Sequence, residues 1–216
     1  MSAFDLVEED VRLAGRTVRL RRPRDSEALL DEEAFEHDEF LPYWAELWPS
    51  GTALARVLET HAAGLRGTRV LELGCGLGLP SLAAALLGAD VLATDWSPDA
   101  VALLRANAAS AGVALAVRHF SWTAPGPPPG PPWPLVLAAD VLYERRNGPQ
   151  LLAALPALVA QGGAAWIADP GRPAAAAFWD AAAADWDLDV VAAGVPAGRS
   201  AVTVRRLVRR AAGRPG

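Results

Sequence analysis

From Arg69 onward, short apolar runs alternate with helical segments, and this alternation limits the fold more than any other feature of the chain. Strands that are separated by helices pair in parallel, because each helix crosses back over one face of the sheet. The predicted strands are 69–73, 90–95, 114–120, 135–140, 163–169, 188–195 and 200–208. The pattern therefore predicts an α/β domain with a seven-stranded sheet and helices on both of its faces.

The last two predicted strands are joined only by residues 196–199, Pro-Ala-Gly-Arg. A parallel connection needs a crossover of a dozen residues or more, so a turn this short requires an antiparallel last strand. The usual dinucleotide-binding sheet keeps its later strands parallel. The end of the chain therefore predicts a different variant of the doubly wound sheet.

Proline, serine and glycine mark the predicted helices. One helix covers 80–87 with Pro80 in its first turn, and a second begins after Ser97 and is ended by Gly112. A third opens at Asn147 and contains Pro156, which predicts a kink or an early end, and a fourth covers 174–184. The proline-rich stretch 125–134 is predicted to be a stiff surface loop.

The opening third lacks this alternation and is predicted to be irregular apart from a hairpin about Ala14 and Gly15. The acidic run 31–39 is interpreted as a solvated loop. We expect residues 1–50 to form a hairpin and lid extension of the same domain that residues 51–216 build.

Charge and residue usage exclude several kinds of chemistry. All 20 basic residues are arginine, which excludes a catalytic, Schiff-base or P-loop lysine in this chain. The only cysteine, Cys75, cannot form an internal disulfide and has no neighbour at metal-ligand spacing, so no metal site is expected. The net charge of -5 argues against general nucleic-acid binding.

No run of 18 or more residues is uniformly apolar, and the first ten residues are acidic where a signal peptide needs a basic start. These features predict a cytoplasmic protein with no membrane partner. We also expect a monomer.

The stretch Leu71 to Pro80, LELGCGLGLP, follows the first strand of the sheet and is typical of a nucleotide-binding loop. A dinucleotide fingerprint would have the spacing G-x-G-x-x-G. Here the third glycine, Gly78, comes one place early, and Leu79 stands where it should be. The spacing argues against NAD.

Two acids flank this loop and indicate a different ligand. Glu72 precedes Gly74 by two residues, where a negative charge would repel a pyrophosphate but suit an amino group or a sulfonium. Asp95 ends the second strand, where a carboxylate can accept hydrogen bonds from both ribose hydroxyls. A ribose with a cationic tail describes S-adenosylmethionine, whose product after transfer is S-adenosylhomocysteine.

With these residues in place, the chain resembles the class I S-adenosylmethionine-dependent methyltransferases, whose Rossmann-like seven-stranded sheet has an antiparallel last strand. Within them it is similar to the protein-lysine methyltransferases that act on Hsp70-type chaperones and on the β subunit of electron-transfer flavoprotein. The resemblance rests on YWAELWPSG, LELGCGLG, the SW at 121–122, DVLY and, for bacterial relatives, ADPGR at 168–172. Ser121 departs from the family pattern, which usually has aspartate there.

The resemblance implies a set of cofactor contacts, to which the loop and strand ends add Glu72 and Trp96. Together the predicted cofactor-binding residues are Trp48, Glu72, Gly74, Cys75, Gly76, Asp95, Trp96, Trp122 and Ala139. Trp96 could equally be an ordinary aromatic residue. Trp166, Trp179 and Trp186 are interpreted as ordinary core or surface aromatics.

The D-x-x-Y signature supplies the predicted catalytic residues. Asp140 ends the fourth strand and should hold and orient an incoming ammonium, while Tyr143 could close the amine's channel. The resemblance implies a protein lysine as methyl acceptor. Two alternatives stay open: a small-molecule N-methyltransferase of the same fold, and a non-catalytic module that binds the cofactor or a partner. A closed lid formed by residues 35–48 would favour the small molecule, and an open acidic groove the protein.

Overall fold

The computed structural model describes residues 5–26, 42–123, 127–198 and 200–210. The acidic run 31–39 lies outside them, as do residues 35–41 of the predicted lid. Within these ranges the strands are β1 (Leu6–Leu13), β2 (Arg16–Pro23), β3 (Arg69–Leu73), β4 (Asp90–Asp95), β5 (Ala116–His119), β6 (Trp133–Ala139), β7 (Val159–Asp169), β8 (Trp186–Ala197) and β9 (Ser200–Arg209). The α-helices are α1 (Pro49–Thr60), α2 (Leu79–Leu86), α3 (Pro98–Ser110), α4 (Asn147–Leu158) and α5 (Ala175–Ala182).

Seven of these strands form one sheet in the order β5-β4-β3-β6-β7-β9-β8. All pairs from β5 to β7 are parallel, and β9 runs antiparallel to both of its neighbours. The predicted α/β fold, its seven strands and its antiparallel last strand are therefore confirmed.

The strand order reverses between β3 and β6, which lie side by side although α2, β4, α3 and β5 come between them in the chain. Crossovers that leave β3 and β6 in opposite directions open a crevice at the carboxyl ends of these strands, which is where open α/β sheets bind ligands. The loop after β3 and the residues after β4 and β6 meet at this crevice.

Apolar residues on the two faces of the sheet pack against different helices. On one face, Leu71 and Leu73 of β3 share a buried cluster with Leu151 of α4 and Phe178 of α5. On the other, Val70 of β3 packs with residues of α1 and α2, and Ala93 of β4 with residues of α2 and α3. This alternation along each strand produces the helix layers on both faces.

The hairpin of β1 and β2 forms a separate two-stranded sheet, with Val11 paired to Val18 across the strands. Val18 and Leu20 join the core cluster of α2 and α3. Asn107 of α3 fixes the hairpin further, since its side chain accepts from the Arg21 amide and donates to the Arg21 carbonyl, both at 2.9 Å. The predicted hairpin about Ala14 and Gly15 is confirmed.

The prediction that the opening third is irregular was wrong at α1. Pro49 occupies the first turn of this helix, and Ala53, Leu54, Val57 and Leu58 bury one face of it. Apolar residues at these spacings, after a proline, are the ordinary signature of a helix start followed by a buried stripe.

Strand and helix ends differ from the predictions by a few residues. The strand after the proline-rich stretch begins at Trp133, so the end of the predicted loop belongs to β6. Pro134 is accommodated by a register shift between Trp133 and Leu135 in the pairing with β7. The helix after the glycine loop begins at Leu79 with Pro80 in its first turn, and α4 ends two residues beyond Pro156.

Candidate active site

A cavity of about 210 Å³ opens at the carboxyl ends of β3, β4 and β6. The loop after β3 forms its floor, and residues 43–48, which precede α1, form one wall. Every residue predicted for the site lines this cavity: Trp48, Glu72, Gly74, Cys75, Gly76, Asp95, Trp96, Trp122, Ala139, Asp140 and Tyr143. Trp166, Trp179 and Trp186 are not among the lining residues.

The glycine loop needs glycine for conformation and for space. Gly74, Gly76 and Gly78 have φ values of +63°, +49° and +75°, which residues with a Cβ rarely adopt. A Cβ on Gly74 would lie 3.2 Å from Val141 Cγ1, and one on Gly76 would lie 3.0 Å from the Trp44 carbonyl oxygen. The backbone of the loop therefore lies between the end of β6 and residues 43–48, where a side chain on Gly74 or Gly76 would not fit.

Gly78 has a different role from the third glycine of a dinucleotide loop, because it packs against α3. A Cβ at this position would lie 2.5 Å from Leu104 Cδ1, and Leu104 is fully buried. Gly78 is also the N-cap of α2, so the close approach sets the direction in which that helix leaves the cavity.

Asp95 connects the end of β4 to the glycine loop. Its Oδ2 accepts a hydrogen bond from the Gly76 amide at 2.8 Å, and its Oδ1 accepts one from the Ser97 amide at 2.9 Å. The side chain is buried, and burial raises its pKa, although these amide donors oppose the rise. The Trp96 amide is a third donor to this carboxyl group, which has about four acceptor positions and so retains acceptor capacity for a ligand.

The sequence predicts a negative charge of Glu72 directed at a cation, and in the structure one oxygen of its carboxyl group is hydrogen-bonded to the start of α2. Oε2 of Glu72 accepts from the Ser81 amide at 2.9 Å and from the Ser81 hydroxyl. Burial raises the pKa of Glu72 to about 8, which favours the neutral form of the carboxyl group. In the structure, Glu72 accepts hydrogen bonds from Ser81 in the first turn of α2, beside the loop.

Asp140 lies at the end of β6 in a strained conformation, with φ of +60°. Its amide donates to the Ala168 carbonyl of β7 at 3.0 Å, and its Oδ2 accepts from the Ser50 hydroxyl at 3.1 Å. Its Oδ1 accepts from Nε of Arg172, with which it forms an ion pair. Only 4% of the Asp140 side chain is exposed, compared with 30% for Arg172.

Arg172 lines the cavity and pairs with Asp140, but it is not among the site residues predicted from the sequence. Its backbone is fixed by Asp169 at the end of β7, whose Oδ1 accepts from the Gly171 amide at 2.7 Å and from the Arg172 amide at 3.0 Å. The D-P-G-R stretch was recognised only as part of the family resemblance. An aspartate that ends a strand and is followed by a Pro-Gly turn could have indicated that the next side chain returns to the same sheet edge.

Aromatic side chains surround the Asp140 end of the cavity. Tyr43 packs against Tyr143 with ring centroids 4.9 Å apart and against Trp48 at 6.0 Å, and Trp48 Nε1 donates to the Tyr43 carbonyl at 2.6 Å. Burial raises the pKa of Tyr143 to about 12, which keeps it a neutral phenol. These rings offer faces for a cation.

Trp122 and Trp96 lie toward the glycine loop. A Cβ on Gly74 would contact the Trp122 ring at 3.4 Å, so the ring stands directly beside the loop backbone. Trp122 Nε1 is buried without a hydrogen-bond partner among the described residues. Three features of the cavity fit a ligand that carries a ribose and a base. They are the buried indole N–H of Trp122 without a partner, the glycine backbone beside which no side chain fits, and the acceptor oxygens of Asp95.

The described ranges contain neither a metal-binding cluster nor a membrane-spanning helix. No group of three or more histidine, cysteine, aspartate or glutamate side chains in them could hold a metal ion. No helix in these ranges combines the length and apolar character needed to cross a bilayer.

Comparison with solved structures defines the class of fold. The structure superposes on the 16S rRNA N2 G1207 methyltransferase RsmC of T. thermophilus, solved with AdoMet and guanosine, with a TM-score of 0.67. The sequences are 15% identical, and the match covers 95% of this chain and 51% of that one. At this identity the likeness concerns the fold, which is that of the class I methyltransferases.

The sequence defines the family more narrowly. The profile of the family described as lysine methyltransferase matches residues 36–183, and the chain belongs to this family.

Two curated relatives illustrate the range of its members. The electron transfer flavoprotein beta subunit lysine methyltransferase of Xenopus laevis is 36% identical over 136 residues, which cover 61% of this chain and 53% of the relative. The histone-arginine methyltransferase METTL23 of Homo sapiens is 32% identical over 117 residues, which cover 50% of this chain and 60% of the relative. The chain thus spans about half the length of the curated relatives it matches.

Proposed function

We propose that this protein transfers a methyl group from S-adenosylmethionine to the side-chain amine of a lysine in a protein substrate. One observation carries the proposal: the buried carboxylate of Asp140 lines the same cavity as the glycine loop and Asp95. Membership of the lysine methyltransferase family supports it.

The cofactor end of the cavity is formed by the glycine loop, Asp95 and Trp122. Asp95 would accept hydrogen bonds from the ribose hydroxyls, and Trp122 would stack on the base or donate to it. Gly74 and Gly76 allow the backbone to approach the ligand closely. When bound, S-adenosylmethionine supplies the methyl group as an electrophilic sulfonium substituent.

The acceptor end is formed by Asp140 and the aromatic residues. A lysine amine has a pKa of about 10.4, so freeing its lone pair at pH 7 costs about 4–5 kcal/mol. Asp140 would attract the ammonium and direct its nitrogen toward the cofactor end, while the same charge raises the amine's pKa. We therefore assign Asp140 a positioning role toward the substrate and not that of a general base.

Tyr143 cannot remove the proton as a phenolate near neutral pH, because its pKa is raised to about 12. Its ring and that of Tyr43 would instead enclose the alkyl chain of the acceptor. The proton would leave to water. Alignment of the two reactants supplies most of the rate enhancement in such a displacement.

Calorimetry tests the cofactor half of the proposal. We expect S-adenosylmethionine and S-adenosylhomocysteine to bind and NAD to give no heat, since the loop lacks the dinucleotide spacing. Tight NAD binding without a response to S-adenosylhomocysteine would overturn it.

Labelling tests the acceptor half. The protein is incubated with methyl-labelled cofactor and a lysate of its host, and macromolecules are separated from metabolites. Label in protein supports the proposal. Label confined to small molecules would support the alternative small-molecule methyltransferase, and no label with intact cofactor binding would support a non-catalytic module.

We further propose that the protein works in the cytoplasm and does not act on nucleic acid. The support is the single cysteine, which is buried and free, and the net charge of -5.

A further inference from the structure

Arg172 is a cation in a cavity lined by acids. Among the described residues that line this cavity it is the only basic one, and the acidic ones are Glu46, Glu72, Asp95, Asp140 and Glu144. An arginine in such a position needs an explanation, because the proposed acceptor is itself a cation that must enter the same space.

The contacts of Arg172 are those that an acceptor ammonium would make. Its Nε donates to Asp140 Oδ1, and its guanidinium carbon lies 5.6 Å from the centroid of the Trp48 ring. A carboxylate together with an aromatic face is the usual environment for a bound amine. The guanidinium therefore occupies the position that the proposed function gives to the substrate.

Both carboxylate oxygens of Asp140 already have a hydrogen-bond donor. Ser50 donates to one carboxylate oxygen and Arg172 to the other, and only 4% of the side chain is exposed. An incoming ammonium would therefore compete with the guanidinium for the same buried carboxylate.

The side chain of Arg172 can make this movement while its backbone stays in place. Asp169 accepts hydrogen bonds from the amides of Gly171 and Arg172, which fixes the turn after β7. The Arg172 side chain is 30% exposed and so borders solvent. A long side chain anchored at its base can change rotamer at such a position without moving the turn.

We propose that Arg172 occupies the acceptor subsite as a displaceable counter-ion, which holds Asp140 in position until the acceptor ammonium replaces it. The inference rests on the proposed function, since it assigns Asp140 to the acceptor amine. Arg172 is accordingly a positioning residue that lowers the affinity for the acceptor and keeps the buried carboxylate paired in its absence.

The test uses n-butylammonium, which matches a lysine side chain without its backbone, and the protein without added cofactor. Its dissociation constant is measured by NMR from the shift of the Trp48 indole resonance, which a Trp48→Phe variant assigns. We expect Arg172→Gln to bind the probe at least about tenfold more tightly than the wild type. Arg172→Lys, which keeps a cation beside Asp140, should bind it about as weakly as the wild type.

Two matched variants separate competition from a general change of charge. Arg205→Gln removes another arginine that lies over a tryptophan ring, 4.7 Å from the Trp179 centroid and away from the cavity, and should bind the probe like the wild type. Adding Asp140→Asn to Arg172→Gln should abolish the gain. Equal or weaker binding by Arg172→Gln, or a gain that persists without the Asp140 carboxylate, would overturn the proposal.

A wild-type measurement covers the case in which Arg172→Gln does not fold. The side-chain NεH resonance of Arg172, assigned by its absence in Arg172→Lys, should move toward that of a solvated arginine as n-butylammonium is added. A resonance that stays constant at saturating probe would overturn the proposal. If n-butylammonium displaces Arg172 but no host protein is labelled, the proposed function fails and the amine subsite stands. If host protein is labelled but Arg172 is not displaced, the proposed function stands and only the role of Arg172 is lost.

Discussion

The carboxylate of Asp95 accepts a hydrogen bond from the backbone amide of Gly76 at 2.8 Å, which joins the end of β4 to the glycine loop after β3. A second hydrogen bond, from the Ser97 amide, holds the other oxygen. The group that we assign to the ribose therefore also fixes the shape of the loop that borders it.

Asp95→Ala should weaken binding of S-adenosylhomocysteine by about 2–4 kcal/mol, because two charge-assisted hydrogen bonds to the ribose are lost. It should also lower the thermal midpoint without unfolding the domain, since the amides of Gly76 and Ser97 lose their acceptor. Calorimetry and thermal unfolding measure the two effects separately. Unchanged affinity would place the ribose elsewhere, and a collapsed fold would make Asp95 a structural residue.

Asp140→Asn should retain the cofactor and lose the reaction. Asparagine keeps the shape and one acceptor but cannot pair with an ammonium, and a charge-assisted contact at the reacting centre contributes about 2–4 kcal/mol, or about thirty- to a thousandfold in rate. Methylation of the labelled host protein and affinity for S-adenosylhomocysteine are compared with the wild type. Asp189→Asn, in a surface ion pair with Arg206, is the control and should leave both unchanged. An Asp140→Asn variant that methylates at the wild-type rate would remove the assigned role.

Gly78→Ala should destabilise the protein by about 2–4 kcal/mol. Alanine in the left-handed region costs about 1 kcal/mol, and its Cβ would lie 2.5 Å from Leu104 Cδ1, which adds the cost of overpacking a buried site. Gly112→Ala is the matched control, because Gly112 has φ of +64° with no atom within 4 Å of the added Cβ. This variant should lose only the roughly 1 kcal/mol that alanine costs in the left-handed region. Urea unfolding measures both; equal losses would mean that Leu104 moves away freely.

Glu72 should make the stability of the protein fall as pH rises. Burial raises its pKa from 4.5 to about 8, so between these values the folded state keeps a proton that the unfolded state releases. The free energy of unfolding of the wild type should therefore decrease relative to that of Glu72→Gln from pH 5 to pH 8, by on the order of 2–4 kcal/mol. Urea unfolding at both pH values measures it. A difference that stays constant or has the opposite sign would mean that Glu72 is ionised in the folded protein.

The sequence predicted those parts of the site that depend on strand ends. Parallel strands deliver Gly74, Asp95 and Asp140 to one edge of the sheet, so recognising the strands was enough to bring these residues together. The short turn at 196–199 likewise predicted the antiparallel β9, because chain length alone excludes the alternative.

The features that sequence did not predict depend on contacts between distant segments. Arg172 reaches Asp140 across 32 positions of the chain, and the Asp-Pro-Gly turn before Arg172 indicates the sheet edge but not the partner. The raised pKa of Glu72 follows from its burial beside α2, which its position in a strand does not reveal. The helix α1 precedes the region in which strands and helices alternate, so that alternation did not predict it although its apolar spacing is regular.

The most direct measurement is the chemical identity of the methylated residue. The chain contains no lysine, so any methyl-lysine formed in a reaction of the purified protein with labelled cofactor and a host acceptor must come from the acceptor. The labelled protein is hydrolysed to amino acids, and wild type is compared with Asp140→Asn. We predict that the wild type forms methylated lysine and that the variant forms at least about thirtyfold less of it. Label in methylated arginine, or equal methyl-lysine with both proteins, would contradict the account.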